Sequence, residues 1–159
     1  MKIKGIIDED FVNYKKPSMV VMFPNCTFKC DKECGRQVCQ NGALATAKNI
    51  NIGTHSLIYR YTHNKISKAI VLAGLEPMDD FDDVLGFISA LRNEYKCDDD
   101  IIIYTGYNED EIKSQVLTLS KFKNIIVKFG RYIPNQQKHY DEILGVELAS
   151  RNQYAKVIS

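Results

Sequence analysis

Short apolar runs alternate with longer amphipathic stretches along this chain. Ser18 to Phe23 (SMVVMF) is compact and β-branched enough to predict a buried strand, ended by Pro24 and Asn25. A polar, cysteine-rich loop follows, and Ala43 to Ala47 is read as a helical turn. Thr54 is placed as the cap of a helix running to about His63, with Leu57, Ile58 and Tyr61 on one face. Lys68 to Ala73 (KAIVLA) predicts the next strand, stopped by Gly74. Asp80 to Tyr95 has helical spacing through Phe81, Val84, Leu85, Ile88 and Leu91. Ile101 to Tyr104 is a further buried strand, ended by Thr105 and Gly106. Asn108 with Glu111 forms a capping box ahead of a helix whose apolar face is Ile112, Val116 and Leu119. Asn124 to Phe129 predicts another strand. The tail from Gly130 reads as irregular, with a polar patch at Ser150 to Gln153.

Strands alternating with helices imply right-handed βαβ units and a parallel sheet. About four or five strands fit the length, too few for a closed βα barrel, which takes roughly 250 residues. The expected fold class is therefore α/β: an open partial (βα) barrel of mainly parallel strands, or a small doubly wound sheet, in one domain over residues 1–159. In either fold the chemistry belongs at the C-terminal strand ends. The cysteine loop, the Gly74–Pro77 turn and the Tyr104–Tyr107 turn would then share one rim.

Composition narrows the classes. The chain has 159 residues, is 45% hydrophobic and 26% charged, and carries a formal net charge of +1. That lacks the basic excess a nucleic-acid partner requires. No apolar run approaches the roughly 20 residues of a membrane helix. The opening MKIKGIIDED turns acidic where a signal peptide stays apolar, so a cytoplasmic protein is expected. Four of the five cysteines, Cys26, Cys30, Cys34 and Cys39, crowd into one stretch, and Cys97 stands apart. In a reducing compartment such crowding points to metal or redox work rather than disulfides. Two metals fit. Four thiolates at intervals of three, three and four residues suit a closed zinc site. Three of them on a four-iron cube would leave one iron open to a reacting ligand.

The context resembles the radical S-adenosylmethionine (SAM) superfamily. Cysteines follow the first buried strand as CTFKC (Cys26 to Cys30) and VCQN (Val38 to Asn41), and GLEP (Gly74 to Pro77) follows the second. The chain is similar in particular to the activating proteins of anaerobic ribonucleoside-triphosphate reductase. DFVN (Asp10 to Asn13), IIIYTGY (Ile101 to Tyr107), GRYI (Gly130 to Ile133) and S-x-N-Q (Ser150 to Gln153) match in order.

The resemblance implies a [4Fe-4S] cluster on Cys26, Cys30 and a third cysteine. The family interval before that third ligand is two residues; here it is three to Cys34 or eight to Cys39. Cys39 is preferred, because Val38 supplies the apolar neighbour and Asn41 the following asparagine; Cys34 is the alternative. Residues 31–36 are then an inserted bulge. A second departure is Leu75, where glycine is usual; a leucine fits there if its φ stays negative. SAM would chelate the open iron, and Val38, Asn41, Gly74, Glu76, Tyr104 and Thr105 would form its pocket, with Gly74 and Glu76 at the amino group. Reductive cleavage of SAM would yield a 5′-deoxyadenosyl radical that takes a hydrogen atom from a glycine of a glycyl-radical enzyme, an anaerobic ribonucleotide reductase. The electron would come from a donor such as flavodoxin or ferredoxin. Two other readings stay open: a radical SAM enzyme acting on another protein or a small molecule, and a zinc-binding module without catalysis. Several side chains also have an ordinary reading. Tyr104, Tyr107, Phe28 and Val38 could line the pocket or simply pack, and the Ser150 to Gln153 patch could contact the partner, cap SAM or simply be solvated. The three histidines lack a partner at metal spacing, Cys97 suits a helix end, and the Lys121 to Arg131 run suits an amphipathic strand with exposed lysines.

Overall fold

The computed structural model describes residues 1–159. In chain order the elements are β1 (Lys2–Ile3), β2 (Gly5–Asp10), β3 (Ser18–Phe23), α1 (Lys29–Cys34), α2 (Gly42–Thr46), β4 (Ile50–Asn51), α3 (Thr54–Thr62) and β5 (Ala69–Gly74). They continue as α4 (Phe81–Asn93), β6 (Asp100–Tyr104), α5 (Lys113–Leu119), β7 (Ile125–Phe129), β8 (His139–Asp141), β9 (Val146–Leu148) and β10 (Tyr154–Val157).

The fold is α/β with a mixed six-stranded sheet in the order β10-β7-β6-β5-β3-β2. The four central strands are mutually parallel, and both edge strands run antiparallel to their neighbours. The parallel strands sit beside each other in chain order, without a reversal. Successive side chains on a strand point to opposite faces. Met19, Val21 and Phe23, with Ile70 and Leu72, Ile101 and Ile103, and Ile125, Val127 and Phe129, pack in one core with Leu57, Ile58 and Tyr61 of α3 and with Val84, Phe87, Ile88 and Leu91 of α4. Their alternates Val20, Val71, Ile102 and Ile126 pack in a second, smaller core with Tyr14, Leu144 and Leu148. The helices α3 and α4, and α5 through Leu119, therefore lie on one face. The segment around Tyr14 and the β8–β9 hairpin cover part of the other.

Several expectations change. The cysteine segment is not all loop, because α1 occupies part of it. On α4 the buried position is Phe87, while Leu85 is half-exposed. The tail from Gly130 is not irregular: it forms the β8–β9 hairpin and the edge strand β10. The sheet also gains β2, so it has six strands where four or five mainly parallel ones were expected. Asn108 and Glu111 do form the capping box, at a short 3-10 turn ahead of α5. No helix is long and apolar enough to cross a membrane.

Candidate metal and ligand site

The rim formed by the C-terminal ends of β3, β5, β6 and β7 opens on a cavity of about 430 Å³. Its floor is the less covered sheet face, represented by Met22, Ala73, Tyr104 and Lys128, and Leu148 closes it from the hairpin side. Parallel register brings these residues level: Met22 pairs with Ala73, and Tyr104 with Lys128.

Cys26, Cys30 and Cys39 all line this cavity, whereas Cys34 does not and is exposed at the end of α1. The Cys26 Sγ accepts the Phe28 N–H at 3.2 Å. Phe28 adopts a left-handed φ of 52° as it starts α1. Burial pushes the Cys26 thiol up to about 11. Burial also pushes Cys30 up to about 11, with the neighbouring Cys39 and Asp31 adding to it. These thiols hold their protons until a metal displaces them. No three His, Cys, Asp or Glu side chains are gathered as the shell of a single ion. Three thiols lining one cavity suit a polynuclear cluster, whose thiolates attach to different irons.

Asn41 links the two motifs directly: its Nδ2 donates to the Gly74 carbonyl at 2.8 Å. Gly74 has φ +99°, and a Cβ there would sit 2.7 Å from the Phe23 backbone nitrogen. The glycine is thus required by strand packing, not only by approach of a ligand. Leu75 lines the cavity and is not among the residues with positive φ, so a side chain is accommodated there. Val38 does not line the cavity; its N–H is bound by Asp31 Oδ1 at 2.7 Å.

Glu76 is only 4% exposed. It is neither a surface glutamate nor free to turn outward, since Oε1 accepts the Met78 N–H at 3.1 Å and Oε2 the Gly106 N–H at 2.8 Å. Burial raises its carboxyl to about 7 despite those donors. Thr105 is buried, and its Oγ1 accepts the Tyr107 N–H. Tyr104 lines the cavity, and its hydroxyl donates to the Asn13 carbonyl at 2.6 Å. Tyr107 donates to Asp79 Oδ1 at 2.6 Å, and Asp79 Oδ2 accepts the Thr27 N–H at 2.8 Å, so the turn after β6 grips the cysteine loop.

Three further residues had been given no role. Lys128 is 6% exposed, lines the cavity and donates only to the Gly130 carbonyl, at 3.0 Å. Burial lowers its ammonium to about 8, against the pull of the Glu76 charge. The reading of exposed lysines fits Lys121 and Lys123 but fails for Lys128. Arg131, 7% exposed, pairs with Glu111 at 2.6 Å and with Glu33 of α1 at 3.2 Å. Asp31 bridges Cys30 and Cys39. The Lys128 signal was a charge within an apolar strand, and Arg131 lay inside the GRYI match; the role of Asp31 depends on tertiary contacts.

Within the C-terminal polar patch Ser150 and Gln153 are buried, whereas Arg151 is exposed. Gln153 Oε1 accepts the Ser150 N–H, and Gln153 Nε2 donates to the Gly130 carbonyl. Asn152 Nδ2 donates to the Arg131 carbonyl at 2.8 Å. These bonds fix the Gly130–Arg131 bend beside the cavity.

A family model described as a 4Fe-4S single cluster domain matches residues 17–154. That span contains every cysteine and every residue lining the cavity except Ile7, Val12 and Asn13. No curated protein and no solved structure matches the chain.

Proposed function

The chain belongs to the 4Fe-4S single cluster domain family, and from that premise we propose that it is a radical SAM enzyme that activates a glycyl-radical protein, an anaerobic ribonucleotide reductase. The observation that carries this reading is the convergence of Cys26, Cys30 and Cys39 with the Gly74–Glu76 turn on one cavity. The exposed Cys34 stands outside it, which supports three ligands rather than a closed shell of four. When bound, the cluster would supply the electron that breaks a carbon–sulfur bond of SAM. Four parallel strands in chain order, with α3, α4 and α5 on one face, support the open partial barrel.

The chain's own groups would orient the co-substrate. The Gly74 carbonyl and the Glu76 charge suit an ammonium. The Lys128 ammonium, held in a buried floor by one carbonyl, suits a carboxylate. The Tyr104 ring and the apolar wall of Met22, Ala73 and Leu148 exclude water from one side. At the mouth, Asp10 Oδ2 accepts the Val12 and Asn13 N–H groups, and the turn it makes leaves Phe11 and Val12 exposed. Exposed apolar side chains beside a cavity suit a polypeptide substrate. A donor such as flavodoxin or ferredoxin would deliver the electron.

Anaerobic reconstitution with iron and sulfide, followed by incubation with SAM and a strong reductant, tests the reading. The expected product is 5′-deoxyadenosine, together with a glycyl radical, seen by electron paramagnetic resonance, on a reductase incubated alongside. Cys39→Ala should abolish the product, and Cys34→Ala should retain it. An iron-loaded protein that leaves SAM intact contradicts the proposal; cleavage of SAM with transfer only to a small metabolite leaves the chemistry and removes the partner.

A further inference from the structure

The interval of eight residues between Cys30 and Cys39 needs a device that closes it. An open loop of that length would hold Cys39 on the cavity wall only at an entropic cost. The chain leaves α1 through Gly35, which adopts a left-handed φ of 64°, and turns back on the helix it has just left. Its return is caught by one atom. Asp31 Oδ1 accepts the Val38 N–H at 2.7 Å and the Cys39 N–H at 2.8 Å. The Cys30 Sγ points to the same oxygen at 3.8 Å.

Resting on the cluster reading above, we propose that Asp31 is the positioning residue for the third ligand: its carboxylate closes the inserted loop, sets Cys39 beside Cys30, leaves Cys34 outside, and stands as a fixed negative charge against the bound cluster. Val38 and Cys39 donate to a charged acceptor, which makes these bonds stronger than neutral ones. An asparagine at this position keeps an oxygen acceptor but loses the charge; an alanine loses both. The two losses therefore separate. Alanine should release Cys39, whereas asparagine should hold it and change only the electrostatics. Reduction adds negative charge to a cluster, so a neighbouring anion lowers the potential and its removal raises it.

The full chain, its Asp31→Ala, Asp31→Asn and Cys39→Ala variants, reconstituted anaerobically, provide the test. Iron and sulfide content, loss of iron to a chelator and the midpoint potential are measured without SAM. Asp31→Ala should lose its iron roughly 10-fold faster or more, and Asp31→Asn should keep it at a higher potential. If Cys39→Ala loses the cluster while Asp31→Ala retains it like the wild type, the clamp is wrong and the ligand assignment stands. If Cys39→Ala keeps the cluster, the ligand assignment itself fails. Should circular dichroism show Asp31→Ala unfolded, Asp31→Asn decides: an unmoved potential overturns the role.

Discussion

Glu76 is an acid whose surroundings oppose its ionisation. Burial raises its carboxyl from 4.5 to about 7 in the folded chain. A raised folded value means that its contribution to stability is complete below about 4.5, declines as pH climbs, and is gone above about 7. The lowered ammonium of Lys128, near 8 when folded, acts in a separate window: its contribution is complete above the unfolded value of 10.5 and is lost as pH falls through about 8. In the cluster-free protein, unfolding free energy should therefore fall between about pH 4.5 and 7, by up to roughly 3 kcal/mol. Glu76→Gln should flatten that slope, measured by urea unfolding across the range. Equal slopes in both proteins would mean that Glu76 titrates like an exposed acid. At this scale sequence reading fared unevenly. Cys26, Cys30, Cys39, Asn41, Gly74, Glu76, Tyr104 and Thr105 all line the cavity, while Val38 does not. The sequence motif marks where Glu76 sits, but not that both its oxygens are taken by backbone N–H groups.

At the scale of elements, β5 and the turn after it are the hinge on which the site is built. Gly74 combines a left-handed backbone with contact against Met22 and Phe23 of the neighbouring strand. Gly74→Ala must move β3 or β5, so it should destabilise the fold by more than about 1 kcal/mol and weaken cluster retention at the same time. Thermal melting and iron content measure the two effects. A variant with wild-type melting and iron would show that the turn tolerates a Cβ. The apolar central strands were legible because SMVVMF, KAIVLA and IIIY have no competing helical period. The edges were not. In β2 the sequence GIIDED ends in three acids, and an edge strand needs only one packed face to form. The hairpin and β10 are short, and Asp141 fixes them: Oδ1 accepts the Ile143 and Leu144 N–H groups and Oδ2 accepts that of Ala155. A single aspartate organising three backbone donors from two separate segments leaves no periodic trace.

Across the whole molecule, one end of the sheet collects groups that lie far apart in the chain. Arg131 joins Glu33 of the cysteine segment to Glu111 ahead of α5, and Lys29 pairs with the same Glu111 at 3.1 Å. Thr27, Asp79 and Tyr107 make a second tie across the same rim. The cysteine loop is thus braced from two sides while its three thiols face the cavity. The order of strands, and so the shared rim, followed from the alternation of strand and helix; the buried Lys128 and the Arg131 bridge required the assembled sheet. The most direct measurement is electron paramagnetic resonance of the reconstituted, reduced protein, before and after SAM is added. The proposal predicts a four-iron signal whose g values move on addition of SAM, because three cysteine ligands would leave one iron open. A four-iron signal that SAM leaves unmoved, or a protein that takes up no cluster, would contradict it.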